Sequence, residues 1–130
     1  MWRASFIQQR RKTRSKVVIN LVVLAKNEKG YHNLIKLVSK AWTEGFYMRP
    51  RTDRVELEKY HEGLIVCTAC IAGEVPRNII AGKYEEAEEA IQWYKRVFGD
   101  DFYLELQRHK ATVPRANHEL INCSKLLTKS

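Results

Sequence analysis

The sequence predicts an α/β fold, and three observations predict it. Short apolar runs, Val17 to Leu24 and Leu64 to Cys67, are bounded by turn residues, as strands covered on both faces are. Longer stretches, from Glu28 to Trp42 and from Tyr84 to Phe98, repeat their apolar residues at steps of three and four, the spacing of one buried helix face. Strands and helices alternate along the chain instead of forming separate blocks, which is the rhythm of an α/β fold.

The chain has 130 residues, enough for one domain with a real core and too few for a nucleic-acid-copying enzyme, which would need several further domains. With 45% hydrophobic and 29% charged residues it has the composition of an ordinary globular protein. No run approaches the roughly 18 apolar residues of a membrane span, and the arginine-rich start lacks the apolar core of a secretory signal, so a cytoplasmic location away from membranes is expected. The formal charge of +8 is uneven. Arg3, Arg10, Arg11, Lys12, Arg14 and Lys16 precede the first acidic residue, so residues 1–16 read as a basic, poorly ordered arm and 17–130 as the folded domain. Attraction for nucleic acid would concentrate on Arg10, Arg11, Lys12 and Arg14, and the plainer reading is a solvated terminus. A transit peptide shares this composition, but the arm is short and weakly amphipathic.

Each element has its local cause. Asn27 offers an N-cap to the first helix, whose inward residues are expected to be Tyr31, Leu34, Ile35, Val38, Ala41 and Trp42, with Gly45 as C-cap. Pro50 holds Phe46 to Arg51 extended; Arg49 and Arg51 beside it either meet phosphate or are simply solvated. Asp53 and Glu56 form a capping box for a short helix that Gly63 would close. After the strand Leu64 to Cys67, Pro76 sits in the first turn of a helix that Gly82 ends. Ala87, Ala90, Ile91, Tyr94 and Phe98 make the inward face of the next helix, and Glu85, Glu86, Glu88 and Glu89 near its positive end read as a solvated face, not a catalytic carboxylate pair. Gly99 closes it. Phe102, Leu104 and Leu106 alternate as a third strand, His109 lies just beyond, and Asn117 caps a last helix through Leu120, Ile121, Ser124 and Leu127.

Cys67 and Cys70 form a C-x-x-C, which suggests a redox pair or half a zinc site. Neither fits well: a zinc site needs about four ligands, and Cys123 brings no second pair. Redox motifs place the first cysteine at a helix start, whereas Cys67 lies within a strand pattern. Reduced thiols are expected, with Cys67 in the core and Cys70 pointing the other way. The chain shows no glycine-rich phosphate loop and no G-x-S-x-G elbow.

Three blocks, LAKNEKGYHNLIKLVSKAWTEGFYMRPR, GLIVCTACIAGEVP and FGDDFYLELQRH, resemble in order and interval the PHP (polymerase and histidinol phosphatase) domains of bacterial replicative DNA polymerase III alpha subunits. The resemblance spans about residues 20–127. It implies a partial, distorted (β/α) barrel of about three strands with covering helices, in which the first strand runs antiparallel so that its beginning lies at the metal site. Cys70 matches the cysteine of the family's S-A-C-x-x-G-E block, a metal-site position, with a small buried thiol as the alternative. Asn20 stands where the family has histidine, and an amide is a poor replacement for imidazole. His109 matches the histidine of L-E-L-Q-x-H, at the site rim or as an ordinary hydrogen-bonding loop residue. The family's remaining ligands have no counterpart here.

The resemblance therefore implies a fragment of a polymerase PHP domain without activity of its own and with no cofactor. Mg2+ would belong to the parent polymerase, and Zn2+ or Mn2+ to intact PHP sites. DNA, through the parent, and other replicase subunits are the implied partners. A free-standing metal-dependent phosphoesterase or 3′-5′ exonuclease is the alternative, and a basic interaction module using the arm is a third.

Overall fold

A computed structural model describes residues 19–46, 50–70 and 72–105. In chain order it contains β1 (Val22–Ala25), α1 (Glu28–Thr43), α2 (Arg54–Lys59), β2 (Leu64–Cys67), α3 (Glu74–Ile80), α4 (Tyr84–Phe98), a 3-10 turn (Gly99–Asp101) and β3 (Phe102–Tyr103). The sheet order is β1-β2-β3. β1 runs antiparallel to β2 with Val22 opposite Cys67 and Ala25 opposite Leu64, and β3 runs parallel to β2 with Val66 opposite Phe102. The fold is thus mixed α/β with an open three-stranded sheet among the described residues, and no barrel closes there.

Local chemistry sets most of the boundaries. The Asn27 side chain accepts from the Gly30 amide at 2.8 Å, and Asp53 accepts from Glu56 at 2.9 Å, so both predicted N-caps form. The predicted inward face of α4 is buried throughout. Gly99, the C-cap of α4, has a positive φ (+57°), and Gly82 follows the α3 C-cap with φ +73°, values that glycine adopts without strain.

The differences are informative. The strand beginning at Val17 was expected to be covered on both faces, but burial alternates: Val23, Leu64 and Val66 are in the core, while Val22, Leu24, Ile65 and Cys67 are only half-buried. The helices lie on one side of the sheet, so Cys67 is on the opposite face, not in the core. Residues 17 and 18 lie outside the described residues, as do Leu106, the helix expected after Asn117 and Cys123.

Helix α1 is rotated from its expected orientation. Gly30, Asn33, Leu34, Leu37 and Ala41 face inward, whereas Tyr31 and Ile35 are exposed and Trp42 stacks outside on Phe46 at 5.5 Å. The cause is a glycine contact. A Cβ on Gly30 would collide with the Gly63 carbonyl, and one on Gly63 with the Asn27 side chain. The first turn of α1 therefore settles onto the turn that enters β2, which brings the stripe through Gly30 and Leu37 to the core and leaves the neighbouring stripe outside.

The same contact reassigns two glycines. Gly63 does not cap α2, whose C-cap is Tyr60; with φ +74° it makes the turn into β2, and its carbonyl accepts from the Lys26 amide at 2.8 Å. Asn33 reaches the adjacent Glu62 carbonyl at 2.9 Å, and Lys29 pairs with the Glu62 carboxylate. Gly45 is not a left-handed cap either: Glu44 is the C-cap, and Gly45 is small because the Arg51 carbonyl passes against it.

Alanine normally favours a helix interior over glycine by about 1 kcal/mol. Here overpacking against a backbone carbonyl costs more, so Gly30→Ala should lower stability by about 2 kcal/mol net. Urea midpoints check this, and a Gly30→Ala variant as stable as its parent would contradict the contact.

Candidate functional site

The antiparallel register carries the chain before β1 to the carboxyl end of β2. There the Asn20 amide donates to the Ala72 carbonyl at 3.1 Å, and its side-chain Nδ2 lies 3.5 Å from the Cys70 Sγ. Two residues fifty positions apart are thus brought together at one end of the sheet.

The turn presenting Cys70 is tightly built. The Thr68 amide donates to the Tyr103 carbonyl at 3.1 Å, and the Thr68 hydroxyl accepts from the Glu105 amide at 2.9 Å. Ala69 is buried and left-handed (φ +62°), a conformation that costs a residue with a Cβ about 1 kcal/mol. The Gly73 amide closes the turn on the Cys70 carbonyl at 2.7 Å, and a Cβ on Gly73 would strike the Thr68 carbonyl.

Cys67 stands apart from this arrangement. Burial pushes its thiol up, with the Glu105 charge adding to the effect, so it stays protonated at neutral pH and is a poor nucleophile. Neither Cys67 nor Cys70 is in a disulfide. His109, Arg10, Arg11, Lys12 and Arg14 lie outside the described residues.

Beside the turn is a cluster the sequence did not reveal. Glu74 opens α3 and is 10% exposed; its Oε1 accepts from Arg54 Nη2 of α2 at 2.8 Å, and its Oε2 from the Tyr94 hydroxyl of α4 at 3.2 Å. The Arg54 guanidinium lies over the Trp93 ring at 4.8 Å and has Glu89 3.8 Å away. The available signals were the inward Tyr94, whose hydroxyl needs a partner when buried, and an acid directly after Gly73.

A PHP domain model matches residues 6–109 of the chain. The chain belongs to the PHP domain family. The match reaches back into the stretch read as an arm. The DNA polymerase III subunit alpha of Borreliella burgdorferi is 58% identical over 94 residues, covering 72% of this chain and 8% of that protein. The subunit of the same name from Treponema pallidum is 46% identical over 91 residues, covering 69% of this chain and 8% of the relative. That from Deinococcus radiodurans is 33% identical over 106 residues, covering 82% and 8%. The chain thus spans about 8% of the length of these relatives.

By the resemblance, an intact PHP centre would hold metal ions on clustered imidazole, thiolate and carboxylate donors. Among the described residues the two side chains that meet here are a thiol and an amide, and no group of three or more His, Cys, Asp or Glu could hold a metal. A catalytic zinc takes three protein ligands plus water, so the Cys70 thiol and the Asn20 amide do not by themselves make such a centre. In chemical terms the amide donates to sulfur, which ties β1 to the turn.

Burial raises the Tyr94 phenol well above its ordinary value, Glu74 adding to the shift and Arg54 opposing it. The unfolded phenol loses its proton near pH 10, while the folded one keeps it. Its contribution to stability is therefore intact below about pH 10 and is lost as pH rises further. Tyr94→Phe should cost about 1 kcal/mol at neutral pH and show a shallower alkaline fall than the parent. Urea midpoints across about pH 8 to 11 check this; identical alkaline slopes would contradict the assignment.

Proposed function

We propose that this chain is part of the PHP domain of a bacterial replicative DNA polymerase III alpha subunit, and that this part supports the polymerase structurally without hydrolysing phosphoesters itself. The relatives named above, matched over the same region, carry the first half of the proposal. The second half rests on the donor count, with an amide beside Cys70 where the resemblance calls for imidazole.

In this reading the three strands are an arc of the distorted PHP barrel, and the half-buried sheet face bearing Val22, Leu24, Ile65 and Cys67 is turned toward the rest of that barrel. DNA and other replicase subunits are partners through the parent protein, whose polymerisation uses Mg2+, and the location is cytoplasmic. No helix among the described residues is long and apolar enough to cross a membrane. Residues 1–16 form a basic arm, with Arg10, Arg11, Lys12 and Arg14 as phosphate contacts and His109 on the site rim. The alternative, a free-standing phosphoesterase, lacks a donor set among the described residues.

Elemental analysis after dialysis against a mild chelator tests the proposal directly. The purified chain should hold zinc and manganese well below stoichiometric amounts and should release no nucleotides from a primer end. Asn20→His should strengthen zinc binding without restoring hydrolysis, because one more ligand still leaves the set short. Stoichiometric zinc with primer degradation that disappears in Cys70→Ala would overturn the proposal.

A further inference from the structure

Glu74 does more than open its own helix. A residue that merely complemented the α3 dipole would need no partner from elsewhere, yet its two carboxylate oxygens are held by two different helices, Arg54 of α2 and Tyr94 of α4. Oxygens pulled in two directions fix the carboxylate in orientation as well as position. The first residue of α3 is thereby fixed relative to α2 and α4.

This anchor adjoins the Cys70 turn. Gly73, next to Glu74, closes onto the Cys70 carbonyl, and Ala72 accepts from Asn20. On the far side of Cys70, Ala69 sits left-handed at φ +62°. A residue with a Cβ persists there only while its surroundings hold it on both sides. Tyr103 and Glu105 hold the Thr68 side; on the α3 side the hold passes through Gly73 to Glu74.

We infer that Glu74 is a positioning residue for Cys70: clamped by Arg54 and Tyr94, it keeps the start of α3 in place so that Ala69 stays left-handed and the Cys70 sulfur faces Asn20. Without the clamp, Ala69 relaxes to an ordinary negative φ and Cys70 turns away. The inference builds on the reading of this turn as the PHP site position. Its test reads geometry alone, so metal content and primer degradation judge that reading separately.

The test is the rate of iodoacetamide alkylation of Cys70 in the full chain, mapped by peptide mass, with Cys67 as internal reference. Glu74→Gln keeps hydrogen-bonding capacity but loses the charge pairing with Arg54, and should raise the Cys70 to Cys67 rate ratio about fivefold, the factor set by release of the Ala69 strain. Leu37→Ala, which hollows the core under α1, loosens the fold elsewhere and should leave the ratio unchanged. Adding Ala69→Gly to Glu74→Gln should return the ratio to the parent value, because glycine holds a positive φ without strain. If Glu74→Gln does not fold, Arg54→Lys carries the same test, since an ammonium cannot reproduce the fork of the guanidinium. An unchanged ratio in the clamp variant would overturn the inference. So would an equal rise in Leu37→Ala, or failure of Ala69→Gly to restore the ratio.

Discussion

The contact between Gly30 and Gly63 is the constraint on which the other placements depend. Because neither residue carries a Cβ, the first turn of α1 rests directly on the turn entering β2. The Lys26 amide then reaches the Gly63 carbonyl, and the ladder continues with Ala25 opposite Leu64 and Val22 opposite Cys67. A one-residue slip would send Val23 and Val66 to the wrong face of the sheet. With the register set at this end, Asn20 arrives beside Cys70 at the other.

Helices α2, α3 and α4 are joined by polar chemistry. Arg54 and Glu74 are largely buried, and such an ion pair adds little net stability compared with apolar replacements of the same size. Loss of either charged partner is different, because it leaves a buried charge uncompensated at a cost of about 3–5 kcal/mol. Their value is directional: apolar contacts alone let α2, α3 and α4 slide, whereas a forked carboxylate between them does not. Aromatic packing fills the space around the cluster, with Tyr94 stacked on Phe102 at 5.1 Å and edge-on to Trp93 at 5.0 Å.

What could be read from the sequence was what short-range chemistry decides. Asn27, Asp53, Gly82 and Gly99 act through neighbours three or four residues away, and the α4 face follows from its own periodicity. The rotation of α1 was hidden, because two adjacent apolar stripes, through Leu34 and Leu37 or through Ile35 and Trp42, satisfy the same spacing and only the distant Gly63 chooses between them. Cys67 was misplaced because a short apolar run does not reveal whether one or both faces are covered. The meeting of Asn20 with Cys70 was legible only through family resemblance, and the clamp on Glu74 not at all, since its three members stand twenty residues apart in succession.

The site depends on Asn20 lying against Cys70, and disulfide trapping measures this directly. Two cysteines bridge only when their Cα atoms lie within about 7 Å and their side chains point together. Under mild oxidation an Asn20→Cys variant should cross-link to Cys70 in high yield, with Cys67 remaining open to alkylation. No cross-link, or one made preferentially to Cys67, would contradict the register and the site built on it.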